Sequence, residues 1–422
     1  MTDPTTPSPR PRRILYVTNG FPYPLTSGFL RHYFLIAELA RAGHRVILLS
    51  IAGADHIPEH AAAMASTTER VEVFRSLDRA AGRRARLIRR LGRVLPIGGG
   101  DRAGARLAAR VAEIVRAEPI DAVVFSGKRT GLALRELRDL PVVVDMCDAV
   151  LLRIAREAAV ASVARRVVLA IQAQEVGRTE RRMLERGDRL LFASARDREA
   201  LLPEADDPRA AIVPNGVDVE FWHRRAATLG TGTVVFTGAM NYRPNVDASI
   251  RLARSILPTV QATMPDARLV IVGRDPTPDV LDLQRLPGVS VTGFVDDVRP
   301  YLEEAAVFAA PLRFGAGIQN KLLEAMAMEV PAVASPVAAD GLRTADGAQP
   351  PIVIADDDRT FSTALVDSLR RAAVDPDPDA AARDYVTDHF SWRSSGDQLL
   401  RLIDDAIDER AAAAGARPSA DR

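Results

Sequence analysis

The stretch PLRFGAGIQNKLLEAMAMEVPAVAS, residues 311–335, decides how this chain is read. Apolar residues run through 305–312 at strand length, Gly315 and Gly317 permit a tight turn with close backbone approach, and a helical pattern opens near Asn320. Strand end, glycine loop and helix start in that order favour an anion. The first N–H groups of the helix, near Lys321, Leu322 and Leu323, lack intrahelical partners and carry the positive end of its dipole. Lys321 adds a full charge. Glu324 follows almost one turn later on the same face, where a carboxylate accepts ribose hydroxyls through charged hydrogen bonds worth ~1.5–3 kcal/mol each. A cation for phosphate beside an anion for ribose suits a nucleotide. Ordinary strand-loop-helix units also carry glycines and a first-turn Glu, and the lysine inventory tips the balance. Of 56 Lys plus Arg residues only Lys128 and Lys321 are lysine, so a flexible point charge has been kept where phosphate has to be reached.

At these residues the chain resembles the retaining, GT-B-fold glycosyltransferases of family four, most closely the sugar transferases associated with PEP-CTERM exopolysaccharide loci. The likeness spans most of the chain. It implies an α/β GT-B architecture, two Rossmann-like domains facing a central cleft, and transfer of a sugar from a nucleotide-diphosphate donor to a glycan or lipid-linked acceptor. The wider family carries a pair of glutamates in this segment. Glu324 matches the second, the ribose contact, whereas the first falls on Ala316. The GIQNK variant, Gly317, Ile318, Gln319, Asn320 and Lys321, is what the closer subgroup shows, and these residues are expected to bind the donor.

Length and composition agree with two ordinary domains: 422 residues, 47% hydrophobic, with a net charge of +1 that argues against bulk nucleic-acid binding. The single cysteine, Cys147, allows no internal disulfide, which fits a reducing compartment. No apolar run approaches the ~18 residues of a membrane span, and the Pro-rich start lacks the core of a signal peptide. A cytoplasmic protein with disordered tails at 1–12 and 411–422 is expected.

The apolar run 14–20 begins a Rossmann-like first domain, assigned to 13–228, with a helix over 29–41. Its loop is not GxGxxG, which disfavours a dinucleotide dehydrogenase; by resemblance Gly28 lies near the cleft. His44 reads as structural. Arg79, Arg83, Arg84, Arg86, Arg89, Arg90 and Arg93 interleave with Leu87, Ile88, Leu91 and Val94 in a basic amphipathic pattern. It suits peripheral contact with an anionic membrane surface and plain solvent exposure equally well. DAVVFSG and PVVVDMCDA read as parallel strands whose ends present Lys128, Asp145 and Asp148 to the cleft. Where many relatives have a histidine this chain has Cys147. Asp148 is the candidate acceptor-orienting group or base with Asp145 beside it, against the alternative that both cap a helix. Residues 151–186 read as helical, Ser194 as a helix cap, and the Pro-Asn-Gly turn of 214–216 as a hinge-side turn without a ligand.

The second domain, assigned to 229–385, opens with TVVFTGAM, where Gly238 allows close approach to phosphate and Asn245 is the expected N-cap of the next helix. Relatives carry Arg directly after this glycine and Lys five residues later. Here Ala239 and Pro244 stand in those places, with Arg243 as the replacement. Gly273 and Arg274 lie at another strand end, and by resemblance the backbone around Phe294 meets the nucleotide base. The acidic run 375–379 lies away from the strand ends, so no metal site and no cofactor beyond the donor co-substrate are expected. A terminal helix, 386–410, is expected to cross back onto the first domain, with Trp392 in packing. Two other functions share this fold: a nucleotide-sugar epimerase, which requires an acid/base set around the sugar, and a catalytically silent nucleotide-sugar-binding protein.

Overall fold

The computed structural model describes residues 10–415 apart from 24, 26–29, 54–57, 76–101, 128, 148, 160, 203–206, 316 and 345–346. Gly28, Lys128, Asp148, Ala316 and the arginines of 79–93 therefore lie outside the described residues, as do both expected tails for the most part.

The described residues form two all-parallel sheets. The first has seven strands in the order β3-β2-β1-β4-β5-β6-β7, and the second six in the order β10-β9-β8-β11-β12-β13. In the first, β1 (Arg13–Thr18) lies between β2 (Arg45–Ala52) and β4 (Ala122–Ser126), Ile14 standing opposite both Val46 and Ala122. β3 (Arg70–Arg75) closes one edge, and β5 (Val142–Cys147), β6 (Arg189–Phe192) and β7 (Ala210–Ile212) extend the other. The near-continuous apolar strands follow from burial on both faces: Leu15 and Val17 enter the core on one side, Ile14 and Tyr16 the core on the other. In the second sheet β8 (Thr233–Thr237) lies between β9 (Arg268–Val272) and β11 (Val307–Ala310), with β10 (Val289–Val291) outside β9 and β12 (Ala332–Ala334) and β13 (Val353–Ile354) beyond β11. Each strand order reverses once, at β1/β4 and at β8/β11, and such reversals open the crevices where α/β sheets bind ligands.

Helices α1 (Leu30–Arg41) and α2 (Arg102–Ala117) cover the first sheet. The long helical reading of 151–186 divides into α3 (Val150–Ala159) and α4 (Val163–Arg186). Ser194 caps α5 (Ala195–Leu201) by accepting from the Asp197 N–H. The structure corrects the Asn245 cap: α6 (Arg243–Arg251) starts two residues before it, after Tyr242, which makes no side-chain cap. α7 (Asn320–Ala327) follows the glycine loop, α8 (Asp358–Val374) and α9 (Ala380–His389) complete the second domain, and α10 (Trp392–Gly415) returns to the first. The expected terminal helix is thus broken near Phe390, whose carbonyl accepts from the Val217 N–H at 2.8 Å. Leu399, Ile403 and Ala406 of α10 share a core with Leu35, Ile36 and Leu39 of α1. Trp392 stacks on Phe34, centroids 4.6 Å apart, so it packs as expected. His44 accepts from the Arg12 N–H at 3.2 Å, a structural role.

Candidate active site

The β8/β11 crevice is built first by backbone packing. A Cβ on Gly273 would lie 1.7 Å from the Gly238 carbonyl oxygen, so only glycine lets these two strand exits touch. A Cβ on Gly238 would lie 2.5 Å from Asn245 Nδ2. The space read in sequence as room for phosphate at Gly238 thus holds the Asn245 amide. Because Asn245 sits inside the first turn of α6 rather than capping it, its side chain turns to the crevice: Nδ2 donates to the Ala239 carbonyl at 3.0 Å and Oδ1 accepts from Lys321 Nζ at 2.6 Å.

Gly317, at φ 68°, is the glycine that the loop requires. Gly315 has ordinary space around it, since a Cβ there would come no nearer than 3.6 Å to Gln319 Nε2. Gln319 precedes α7 without a side-chain cap, but the structure corrects the expectation for the first turn: the Leu322 and Leu323 N–H groups donate to the Gln319 carbonyl at 2.8 and 3.4 Å, and among the described residues it is the Ile318 N–H, in the loop before α7, that is left as a donor for an anion. Lys321 Nζ also lies 5.3 Å from the Phe236 ring centroid, a cation over an aromatic face. Burial lowers the Lys321 pKa to about 8 and raises that of Glu324 to about 7, each charge partly offsetting the other's shift. An ammonium whose hydrogen-bond acceptor is a neutral amide gains strongly from an arriving diphosphate, and Glu324 stands one turn away.

The other sequence candidates are dispersed. Arg243 does not reach into the loop: its Nε lies 3.2 Å from Glu157 of α3, an ion pair between the domains. Arg274 pairs with Asp275 at 2.9 Å at the sheet end. Phe294 lies beyond β10 and is 63% exposed.

On the first-domain side the structure changes the reading of Asp145. It is wholly buried, and its Oδ2 accepts from Arg31 Nε at 2.9 Å while Oδ1 accepts from the Cys147 N–H at 3.1 Å. A carboxylate enclosed in this way is taken up by its neighbours rather than presented at the strand end. Cys147 itself adopts φ 56° where the β5/β6 register shifts, a left-handed conformation unusual for a side-chain-bearing residue at a strand end. His32, 3.0 Å from the Tyr16 hydroxyl, has its pKa lowered to about 4 by burial and stays neutral. Arg31 then carries the contact onward. Its Nη1 donates to Asn215 Oδ1 at 3.0 Å, and Asn215 Nδ2 donates to Asn320 Oδ1 at 2.9 Å, at the start of α7. Sequence reading missed this chain and took Asn215 for a hinge turn. The signal for it was a charged residue, Arg31, on the apolar stripe of α1 that continues through Leu35 and Leu39, since a buried charge needs a partner. Arg196 of α5 was missed as well: its Nη2 donates to the Gly317 carbonyl at 3.1 Å.

Two Rossmann-like domains, with the crevice of the second lined by a glycine loop, a helix start, a lysine and a carboxylate, define the GT-B fold. Solved structures agree on the fold: sucrose-phosphate synthase from Thermosynechococcus elongatus (15% identity, 94% of this chain and 100% of that one, TM-score 0.67) and Anabaena HepE in complex with UDP and glucose (14% identity, 93% and 100%, TM-score 0.62). Residues 231–371 match the family model for glycosyl transferases group 1. A phosphatidyl-myo-inositol mannosyltransferase of Mycobacterium leprae is 30% identical over 212 residues, 48% of this chain, and the chain spans about half of it, 55%. The GDP-mannose-dependent alpha-(1-6)-phosphatidylinositol monomannoside mannosyltransferase of Mycolicibacterium smegmatis is 30% identical over 276 residues, 57% of this chain and 70% of that one. The chain belongs to the group 1 glycosyl transferases.

Proposed function

We propose that this protein is a retaining, metal-independent glycosyltransferase. It moves a sugar from a nucleotide-diphosphate donor to a glycan or lipid-linked acceptor in exopolysaccharide or cell-surface glycan synthesis, with no cofactor beyond the donor. The observation that carries the reading is the Lys321 and Glu324 pair at the uncapped start of α7, in the β8/β11 crevice. In this reading Lys321 and the loop N–H groups take the diphosphate, Glu324 the ribose and the exposed Phe294 segment the base. As the bond from the anomeric carbon to the diphosphate breaks, negative charge grows on the leaving oxygens, and oriented N–H groups with an ammonium stabilise that state more than the ground state. Retention and the link to PEP-CTERM loci rest on the family-four likeness and its GIQNK motif. The GDP-mannose-dependent relative puts GDP-mannose first among donors, and the phosphatidylinositol-based names of both mannosyltransferases support a lipid-linked acceptor, in keeping with a cytoplasmic protein peripheral to the membrane. A complex of HepE with UDP-glucose adds that donor to those to be tested.

The test is release of free nucleoside diphosphate from GDP, UDP and ADP sugars in excess chelator, with and without candidate acceptors. Acceptor-dependent release is the expected result. An isomerised sugar with no release identifies an epimerase, and donor binding without turnover a silent binding protein. Activity lost in chelator and restored by magnesium or manganese overturns metal independence.

A further inference from the structure

Residues 317–320 belong to the second domain, yet both ends of the segment are held by side chains of the first. At one end Arg196 Nη2 donates to the Gly317 carbonyl at 3.1 Å, while its Nη1 donates to the Val337 carbonyl at 3.2 Å and to Asp340 Oδ2 at 3.3 Å. At the other end Asn215 donates to Asn320. Arg196 is 8% exposed and rises from a rigid base: the adjacent Asp197 is wholly buried, and its carboxylate accepts from the Ser194 hydroxyl at 2.6 Å and the Ala149 N–H at 3.2 Å. The Gly317 carbonyl has little freedom on its own side, because a Cβ on Gly341 would lie only 2.8 Å from its oxygen.

A trans peptide is planar, so fixing the carbonyl of residue 317 fixes the N–H of residue 318 on the opposite side of the same plane. We propose that Arg196 is a positioning residue of the donor site, supplied across the domain interface. By holding the Gly317 carbonyl it sets the Ile318 N–H toward the donor diphosphate, so nucleotide affinity depends on the first domain being in place. The guanidinium also polarises that peptide, strengthening the N–H as a donor, as hydrogen bonds in series do. This inference rests on the donor-site reading above and deepens it. It links the domains to the loop itself, whereas the Arg243 and Glu157 ion pair links them elsewhere.

The experiment is calorimetric titration of GDP, UDP and ADP into wild-type protein, Arg196→Ala, Arg196→Lys and Glu157→Gln, with melting temperatures recorded for each. The expected result is about tenfold weaker binding of the preferred nucleotide by Arg196→Ala, the size of one charge-assisted hydrogen bond. Millimolar guanidinium should recover part of the loss, Arg196→Lys should fall between, and Glu157→Gln should stay close to wild type. Recovery by guanidinium separates positioning from a fold defect, and Arg196→Lys keeps the test open if the alanine variant does not fold. Unchanged affinity in Arg196→Ala overturns the proposal and leaves the donor site standing. Equal weakening in Glu157→Gln also overturns it, in favour of a general loosening between domains. If wild-type protein binds none of the three nucleotides, the donor-site reading falls and the proposal with it.

Discussion

Lys321→Ala should lower turnover about 100-fold at saturating donor, the effect of removing one oxyanion donor. Glu324→Gln should instead raise the donor KM with a smaller change in kcat. The two differ because Lys321 faces leaving oxygens whose charge grows during reaction, whereas Glu324 faces a ribose that does not change. Their shifted pKa values add a second signature. The competent free enzyme has Lys321 charged, below about pH 8, and Glu324 ionised, above about pH 7, so wild-type kcat/KM should peak between those values and fall on both sides. In Lys321→Ala the alkaline limb should disappear. The acid limb should move to higher pH, because the ammonium that lowered the Glu324 pKa is gone. Both variants losing thermal stability while keeping normal kinetics per folded molecule would reduce the pair to helix packing.

Trp392→Ala should destabilise the first domain by ~3–5 kcal/mol, the usual cost of emptying a large aromatic site. Trp392 is 6% exposed, stacks on Phe34 with an interplanar angle of 7°, and has Gly216 against its backbone, where a Cβ would lie 2.4 Å from the Trp392 nitrogen. The helix behind it is seated just as closely, since a Cβ on Gly396 would lie 2.4 Å from Glu38 Cβ of α1. α10 is therefore part of the first domain's core, although the chain reaches it only after building the second. A shift of the urea midpoint equivalent to less than ~1 kcal/mol, an amount typical of surface sites, would make α10 a loosely attached appendage. Kinetics per folded molecule should stay near wild type.

What sequence made legible was local. The apolar run of β1, the burial of Trp392, the cap at Ser194 and the loop leading to Lys321 all follow from neighbours within one or two turns, where periodicity and capping chemistry operate. Helix ends were less legible: the pattern at 243–251 offered Asn245 as a cap, and only the approach of Lys321 from 76 residues away shows what that amide does. The cross-domain braces were the least visible. Arg31 meets Asp145 and Asn215 across 114 and 184 residues, and Arg196 meets Gly317 across 121. No spacing rule spans such distances. Asp145 was misread for the same reason: a carboxylate at a strand end looks accessible until the arginine that occupies it is known.

A crystal structure with GDP or UDP bound tests the assignment of the α7 loop most directly. The diphosphate should lie within hydrogen-bond distance of Lys321 Nζ and the Ile318 N–H, with the ribose hydroxyls on Glu324. A nucleotide bound elsewhere in the cleft, with Lys321 still held by Asn245 and Glu324 free of the ribose, would contradict it.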